Sequence, residues 1–147
     1  MKTMNTLKNM AAAVALAIGT MAVAQAAELK ATVPFDFTAG SAQVKAGTYW
    51  IEVKPGGNTI GLRNANGRRI AYVLMNIANA SPKEQGRAAR LVFRRVGAHH
   101  FLGQVWTGGG NSTANETPMS GREKSLRQEV MLAGGSVGTV EIRVGAE

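Results

Sequence analysis

The chain has 147 residues, enough for one domain with a hydrophobic core, and it contains no cysteine. The missing thiols exclude disulfides, thiol catalysis and cysteine-based metal sites. Basic residues outnumber acidic ones by 17 to 9, which gives a formal net charge of +8. This balance favours contact with polyanions such as lipid head groups or acidic polysaccharides, but it indicates no particular fold.

The N-terminus has the pattern of a cleaved export signal. Lys2 and Lys8 precede the apolar run AAAVALAIGTMAVA, and AQA at 24–26 has small residues at the positions that signal peptidase reads. A transmembrane anchor would need about 20 apolar residues, and Gly19 and Thr20 interrupt this run. We therefore predict a signal peptide over 1–26, a single β-rich domain over 27–147, and a periplasmic or extracellular location.

Alternation of apolar and polar residues dominates the rest of the chain, which predicts a mainly β protein. Residues 32–38 and 48–53 both alternate, and Pro34 favours an edge position for the first of these strands. Residues 68–77 are apolar on both faces, which predicts a central strand or one that crosses a barrel wall. Gly97–Ala98 joins two further strands as a tight hairpin.

The C-terminal part combines a loop, a helix and a last strand. The segment TGGGNSTANETPMSG at 107–121 has the composition of a flexible loop. Residues 122–132 are the one helical candidate, with Ser120 as N-cap, Glu123 completing a capping box, and an apolar stripe of Leu126, Val130 and Met131. The whole pattern predicts an antiparallel β-sandwich or small β-barrel of about seven strands with one helix near the C-terminus.

Aromatic residues concentrate between 32 and 53. Most of them fall on predicted inward faces, where aromatic and β-branched pairs stabilise a sheet; these residues and their apolar neighbours are Phe35, Phe37, Tyr49, Ile51 and Val53. Trp50 alternates with that face and is the candidate exposed aromatic residue.

The sequence offers no catalytic or metal-binding constellation. His99 and His100 are adjacent on a predicted strand, so they point to opposite faces and cannot easily share a metal ion. Acidic residues are scattered, and no nucleophile or phosphate-loop motif is complete. We therefore expect a protein that is not an enzyme and that uses no metal or cofactor.

Arginine residues form the candidate anion-binding set. Arg68 and Arg69 open one predicted strand, while Arg90 and Arg94 share a face of another. If those strands are neighbours, the guanidinium groups cluster and could bind phosphate or carboxylate groups bidentately. Motifs that read specific nucleic acids are not evident.

Three segments carry a resemblance to a known family. VPFDFTAG, then VKAGTYWIEV, then ARLVFRRVGAHHFLGQVW occur in this order. They resemble a family of small exported bacterial proteins with VPFDF, AGTY and LVFxRxGxxxFLxxVW motifs. The resemblance implies an exported β-rich domain, and it implies no active residues, ligand or cofactor.

The expected function is that of a non-enzymatic exported β-domain, acting as a binding or structural component of the cell envelope. Its expected partners are an anionic envelope polymer, a lipid surface or another envelope protein, contacted through the arginine-rich face. The alternative is a carrier of a small apolar ligand in a barrel cavity.

Overall fold

A computed structural model describes residues 27–54, 58–79, 86–108 and 113–146. The predicted signal peptide at 1–26 lies outside the described residues. The elements in chain order are β1 Ala27–Val33, β2 Phe37–Ala39, β3 Ala42–Val44, β4 Gly47–Val53, β5 Thr59–Arg63, β6 Arg69–Leu74, β7 Asn76–Asn79, β8 Arg90–Val96, β9 His99–Trp106, β10 Thr113–Glu116, α1 Gly121–Leu132, β11 Val137–Arg143 and β12 Gly145–Ala146.

The strands form two sheets. The five-stranded sheet has the order β12-β1-β4-β5-β6. The seven-stranded sheet follows the path β11-β8-β9-β10-β7, with the short β2–β3 hairpin attached where Thr38 pairs in parallel with Phe101. All other pairs are antiparallel. The predicted mainly β fold, a sandwich or small barrel with one helix near the C-terminus, is confirmed, although the described residues form twelve strands, several of them short, where about seven were expected.

The chain crosses between the sheets at both edges. At one edge, β6 of the five-stranded sheet continues through Met75 into β7 of the seven-stranded sheet, and the Met75 amide donates to the Asn58 carbonyl at 2.7 Å. At the other edge, β11 continues through Val144 into β12, and the Val144 amide donates to the Ala89 carbonyl at 3.1 Å. These crossings join the two sheets into a flattened, barrel-like sandwich.

The core lies between the sheets and is built from their inward alternating positions. Phe37 packs edge-on against Tyr49 and Phe93, with ring centroids 6.0 and 5.1 Å apart. Ile51 and Phe93 have no exposed surface. Of the predicted inward residues, Phe37, Tyr49, Ile51 and Val53 are buried and Phe35 is half-buried against the core.

Three sequence-based expectations need correction. Residues 32–38 are not one strand, because β1 ends at Val33 and β2 starts at Phe37, after Pro34. Residues 68–77 are not a central strand either: β6 is the last strand of its sheet, and Tyr72 and Leu74 are exposed. The predicted loop at 107–121 contains β10, which pairs with both β9 and β7. Small polar residues are compatible with a strand when neighbours supply its hydrogen bonds.

The helix lies where it was predicted and has the predicted N-cap, but the Glu123 side chain binds Arg94 and does not complete a capping box, and the exposed face also differs. Ser120 is the N-cap, and its Oγ accepts from the Glu123 amide at 3.1 Å. The carboxylate of Glu123 faces inward and binds Arg94. Leu126 and Val130 are half-buried as expected, whereas Met131 is 62% exposed and does not belong to the packed stripe.

Candidate functional site

The four predicted anion-binding arginines do not form one cluster. Arg68 lies just before β6 and Arg69 begins it, in the five-stranded sheet, whereas Arg90 and Arg94 lie on β8 in the seven-stranded sheet. The assumption that these strands are neighbours was wrong. Strand neighbours are chosen by long-range pairing, which the local residue pattern does not reveal.

Arg68 and Arg69 are both exposed, but Arg69 is engaged by side chains of its own sheet. Arg69 donates to Glu52 at 3.1 Å and to the Tyr72 hydroxyl, and its guanidinium carbon lies 4.6 Å from the Tyr72 ring centroid. These contacts occupy both the charge and the flat face of the guanidinium. Arg68 sits in the turn before β6, with its side chain in solvent.

Arg90 and Arg94 are structural residues of the seven-stranded sheet. Arg90 is only 4% exposed and lies over the Trp106 ring at 4.3 Å, with Glu141 at 3.7 Å. Arg94 forms a bidentate pair with Glu123 and also donates to the Thr117 carbonyl at 2.9 Å. Burial keeps Arg90 from an external anion, and the pairing of Arg94 leaves its guanidinium little capacity for one.

Trp50 lies on the outward face of the five-stranded sheet, as the alternation predicts, but it is half-buried. The Lys30 ammonium is 5.3 Å from its ring centroid. Trp50 also lines a pocket of about 140 Å³ together with Glu28 and Arg63, which form an ion pair. The ring is therefore partly covered by neighbouring side chains of its own sheet.

The two histidines differ in environment. His99 is exposed at the start of β9, whereas His100 is half-buried and stacks on Phe35 with ring centroids 3.8 Å apart. Burial lowers the pKa of His100, and the charges of Arg95 and His99 lower it further. In the described ranges, no three His, Asp or Glu side chains come together in a way that could hold a metal ion.

A groove of about 260 Å³ lies where the β2–β3 hairpin, the β8–β9 turn and the start of α1 meet. Its lining includes four large apolar residues, one from each of β2, β3, β9 and α1: Phe37, Val44, Phe101 and Leu126. Its polar rim includes Asp36, Lys45, His99, His100 and Arg122. We call this feature the hairpin–helix groove; it is the candidate functional site.

Asp36 stabilises the β2–β3 hairpin, which forms one wall of the groove. Its Oδ1 accepts from the Ala46 amide at 2.8 Å, and its Oδ2 lies 3.5 Å from the Lys45 ammonium. The Ala46 hydrogen bond is the main reason that the pKa of Asp36 is lowered, and Lys45 adds to the effect. The carboxylate is therefore ionised near neutral pH and remains engaged with the hairpin.

The balance of charge at the rim is positive. Arg122 is exposed and has no ion pair with any residue that the structure describes. The adjacent acid, Glu123, is turned inward against Arg94 and is only 2% exposed, so it does not neutralise Arg122. Lys45 is 89% exposed beside the single rim carboxylate of Asp36. An anion entering the groove meets more cationic than anionic groups.

Sequence reasoning missed Lys45 and Arg122. They belong to a turn and to a helix far apart in the chain, and neither has a local motif. The Ser120 capping signal does indicate that Arg122 lies in the first turn of α1, but only the packing of α1 against the sheet brings it to the hairpin.

No family model, curated protein or solved structure was found to match this chain. Among the helical residues that the structure describes, none belongs to a helix long and apolar enough to cross a bilayer.

Proposed function

We propose that this protein is an exported, non-enzymatic binding domain of the cell envelope that binds an acidic polymer in the hairpin–helix groove. The observation that carries the proposal is the juxtaposition of Lys45 and Arg122 at the rim of one groove with an apolar lining. The proposal that the protein is exported is based on the signal-peptide pattern of residues 1–26. The proposed destination is the periplasm or the extracellular space.

The rim suits carboxylate or sulfate groups carried on a chain. Arg122 can bind an oxyanion through two parallel hydrogen bonds, while Lys45 contributes a mobile point charge. The apolar lining can receive the non-ionic faces of the same polymer. The groove is open to solvent at the surface, which suits a polymer segment that enters and leaves sideways.

The carrier alternative depends on an interior cavity. In the described core, the inward-facing side chains of both sheets pack against one another in one cluster. This packing supports a surface site over an interior one.

The test is binding of polygalacturonate and heparin by isothermal titration calorimetry at low and physiological salt. We expect binding that weakens as salt rises, with Arg122→Gln and Lys45→Gln each weakening it by about two- to fivefold. Arg68→Gln is the matched control, because it removes one exposed arginine from the turn before β6, away from the groove.

Two results would overturn the proposal. One is no binding of either polymer at low salt. The other is an equal loss for Arg68→Gln and Arg122→Gln, which would mean that net charge alone attracts the polymer. Thermal unfolding of each variant checks that the fold is retained. We expect little change in melting temperature, because the side chains of Arg68 and Arg122 are exposed.

A further inference from the structure

Helix α1 presents large apolar side chains to solvent. Leu132 is 82% exposed, Met131 is 62% exposed, and Met119, just before the helix, is 38% exposed. They border an open depression of about 570 Å³ that is separate from the hairpin–helix groove. A group of exposed apolar side chains on one element is typical of a docking surface.

Two cations lie on the same side of the helix. Positions 124, 127, 128 and 131 follow the three- and four-residue spacing of one helix face, so Lys124 and Arg127 lie next to Met131. Neither cation forms an ion pair with a residue in the described part of the chain. We call Met119, Lys124, Arg127, Met131 and Leu132 the α1 patch.

The acidic residues of the helix lie away from the cations and Met131 of the α1 patch. Glu129 is two positions from both Arg127 and Met131, which places it roughly 160° around the helix from them. Glu123 is buried and paired with Arg94. The helix face of Lys124, Arg127 and Met131 therefore combines an exposed apolar group with positive charge and carries no exposed carboxylate, while Glu129 borders the α1 patch at Leu132.

We propose that the α1 patch docks on an anionic lipid surface. Lysine and arginine beside exposed Leu and Met side chains match the arrangement of interfacial helices, whose apolar groups enter the head-group region while cations meet anionic lipids. The bidentate Arg94–Glu123 pair holds α1 against the seven-stranded sheet, so the α1 patch is presented without a folding step.

A second copy of the chain fits this surface less well. A symmetric pair would place the same patch on both sides of the interface. Lys124 and Arg127 would then face the same cations of the other copy, and like charges that meet in an interface are costly. A lipid surface of opposite charge removes this repulsion.

The test is cosedimentation with vesicles of phosphatidylcholine alone and of phosphatidylcholine mixed with phosphatidylglycerol. The chain is used in the form in which cells export it, identified by its intact mass, so that all variants share the same N-terminus. We expect binding to the mixed vesicles only. Lys124→Gln with Arg127→Gln should weaken it about fivefold for each cation removed, and Met131→Ser with Leu132→Ser by about tenfold or more.

The matched controls are Leu74→Ser and Arg68→Gln. Leu74 is 72% exposed on β6, and Arg68 is an exposed arginine in the turn before it. Both should bind mixed vesicles as the unchanged protein does. Equal losses in the controls, or no binding to mixed vesicles at low salt, would overturn the proposal. A concentration-dependent dimer in sedimentation velocity that Met131→Ser with Leu132→Ser abolishes would also overturn it, by assigning the patch to a second copy.

The two proposals fail separately. Arg122→Gln changes the groove without changing the α1 patch, and Met131→Ser changes the α1 patch without changing the groove. Loss of polymer binding with vesicle binding intact, or the reverse, identifies which surface was assigned wrongly.

Discussion

Arg94 on β8 and Glu123 on α1 form a bidentate ion pair, with Nε to Oε2 at 2.6 Å and Nη2 to Oε1 at 2.8 Å. The Arg94 side chain is 16% exposed and that of Glu123 is 2% exposed. This pair joins the helix to the outer face of the seven-stranded sheet, and it thereby positions both the hairpin–helix groove and the α1 patch.

Breaking the Arg94–Glu123 pair should destabilise the protein strongly. Glu123→Gln leaves the Arg94 charge largely buried without its counter-ion, and we expect a loss of about 3 kcal/mol in the free energy of unfolding. Urea denaturation measures this loss. Glu129→Gln, which alters an exposed acid on the same helix, should change stability by less than about 0.5 kcal/mol.

Replacing both partners tests the cause of that loss. Arg94→Met with Glu123→Leu removes both charges together, and it should recover most of the stability because no unpaired charge remains. If the double variant is as unstable as Glu123→Gln, the loss of stability comes from the lost hydrogen bonds and not from an uncompensated charge.

A side chain at Gly103 should disturb the same contact. Gly103 is the extra residue of a β-bulge, since Val92 pairs with Gln104 and Phe93 pairs with Leu102. A Cβ at this position would lie 3.2 Å from Arg94 Cγ, Arg94 Nη1 and the Val92 carbonyl oxygen. We expect Gly103→Ala to cost about 1 to 3 kcal/mol in unfolding free energy.

Gly121→Ala is the matched control for this substitution. A Cβ at Gly121 meets no atom within 4 Å, and the position lies in the first turn of α1. Alanine there should be neutral or stabilise by about 0.5 kcal/mol, because it favours the helix. Similar destabilisation by both alanines would contradict the crowding argument at Gly103.

Asp36 should make stability depend on pH in the acidic range. Its folded-state pKa is lowered, chiefly by the Ala46 amide, so the folded state binds its proton less readily than the unfolded chain does. The stabilisation is complete above the unfolded value near 3.8 and is lost as the pH falls through the lowered folded pKa.

The measurement for Asp36 compares unfolding of the unchanged protein and of Asp36→Asn at several acidic pH values. Asparagine still accepts the Ala46 hydrogen bond but does not titrate. The stability difference between the two proteins should shrink as the pH falls below 3.8. A difference that is constant across this range would contradict the role of the carboxylate.

The contribution of His100 to the free energy of unfolding should be larger at neutral pH than at acidic pH. Its pKa is lowered by burial first and by Arg95 and His99 second, so the folded state disfavours its protonated form. Stability should therefore begin to fall as the pH drops below the ordinary value of 6.5, and it should level off below the folded pKa.

Proton NMR titration of the His100 ring measures this directly, with an expected midpoint below 6.5. His100→Phe keeps an aromatic ring against Phe35 and should lose the corresponding part of the pH dependence of unfolding. A His100 midpoint at or above 6.5 would show that the stacked position does not disfavour the charged ring.

Local patterns in the sequence already indicated much of the secondary structure. The alternation over 48–53 correctly put Tyr49, Ile51 and Val53 inside and Trp50 on the outer face. The hairpin at Gly97–Ala98 and the N-cap at Ser120 were also correct, with Gly97 at φ 59°. These features depend on residues close together in the chain, because side-chain direction, turn geometry and capping are local properties.

Only the tertiary structure decided which strands and charges meet. The arginines of β6 and β8 fall in different sheets, Arg94 is neutralised by a helix residue, and Lys45 and Arg122 converge on one groove. The polar segment 113–116 becomes a strand because β7 and β9 pair with it on both sides. Pairing partners and buried ion pairs depend on residues that are distant in sequence, so their identity follows from the packing of the whole chain and not from the spacing of residues along it.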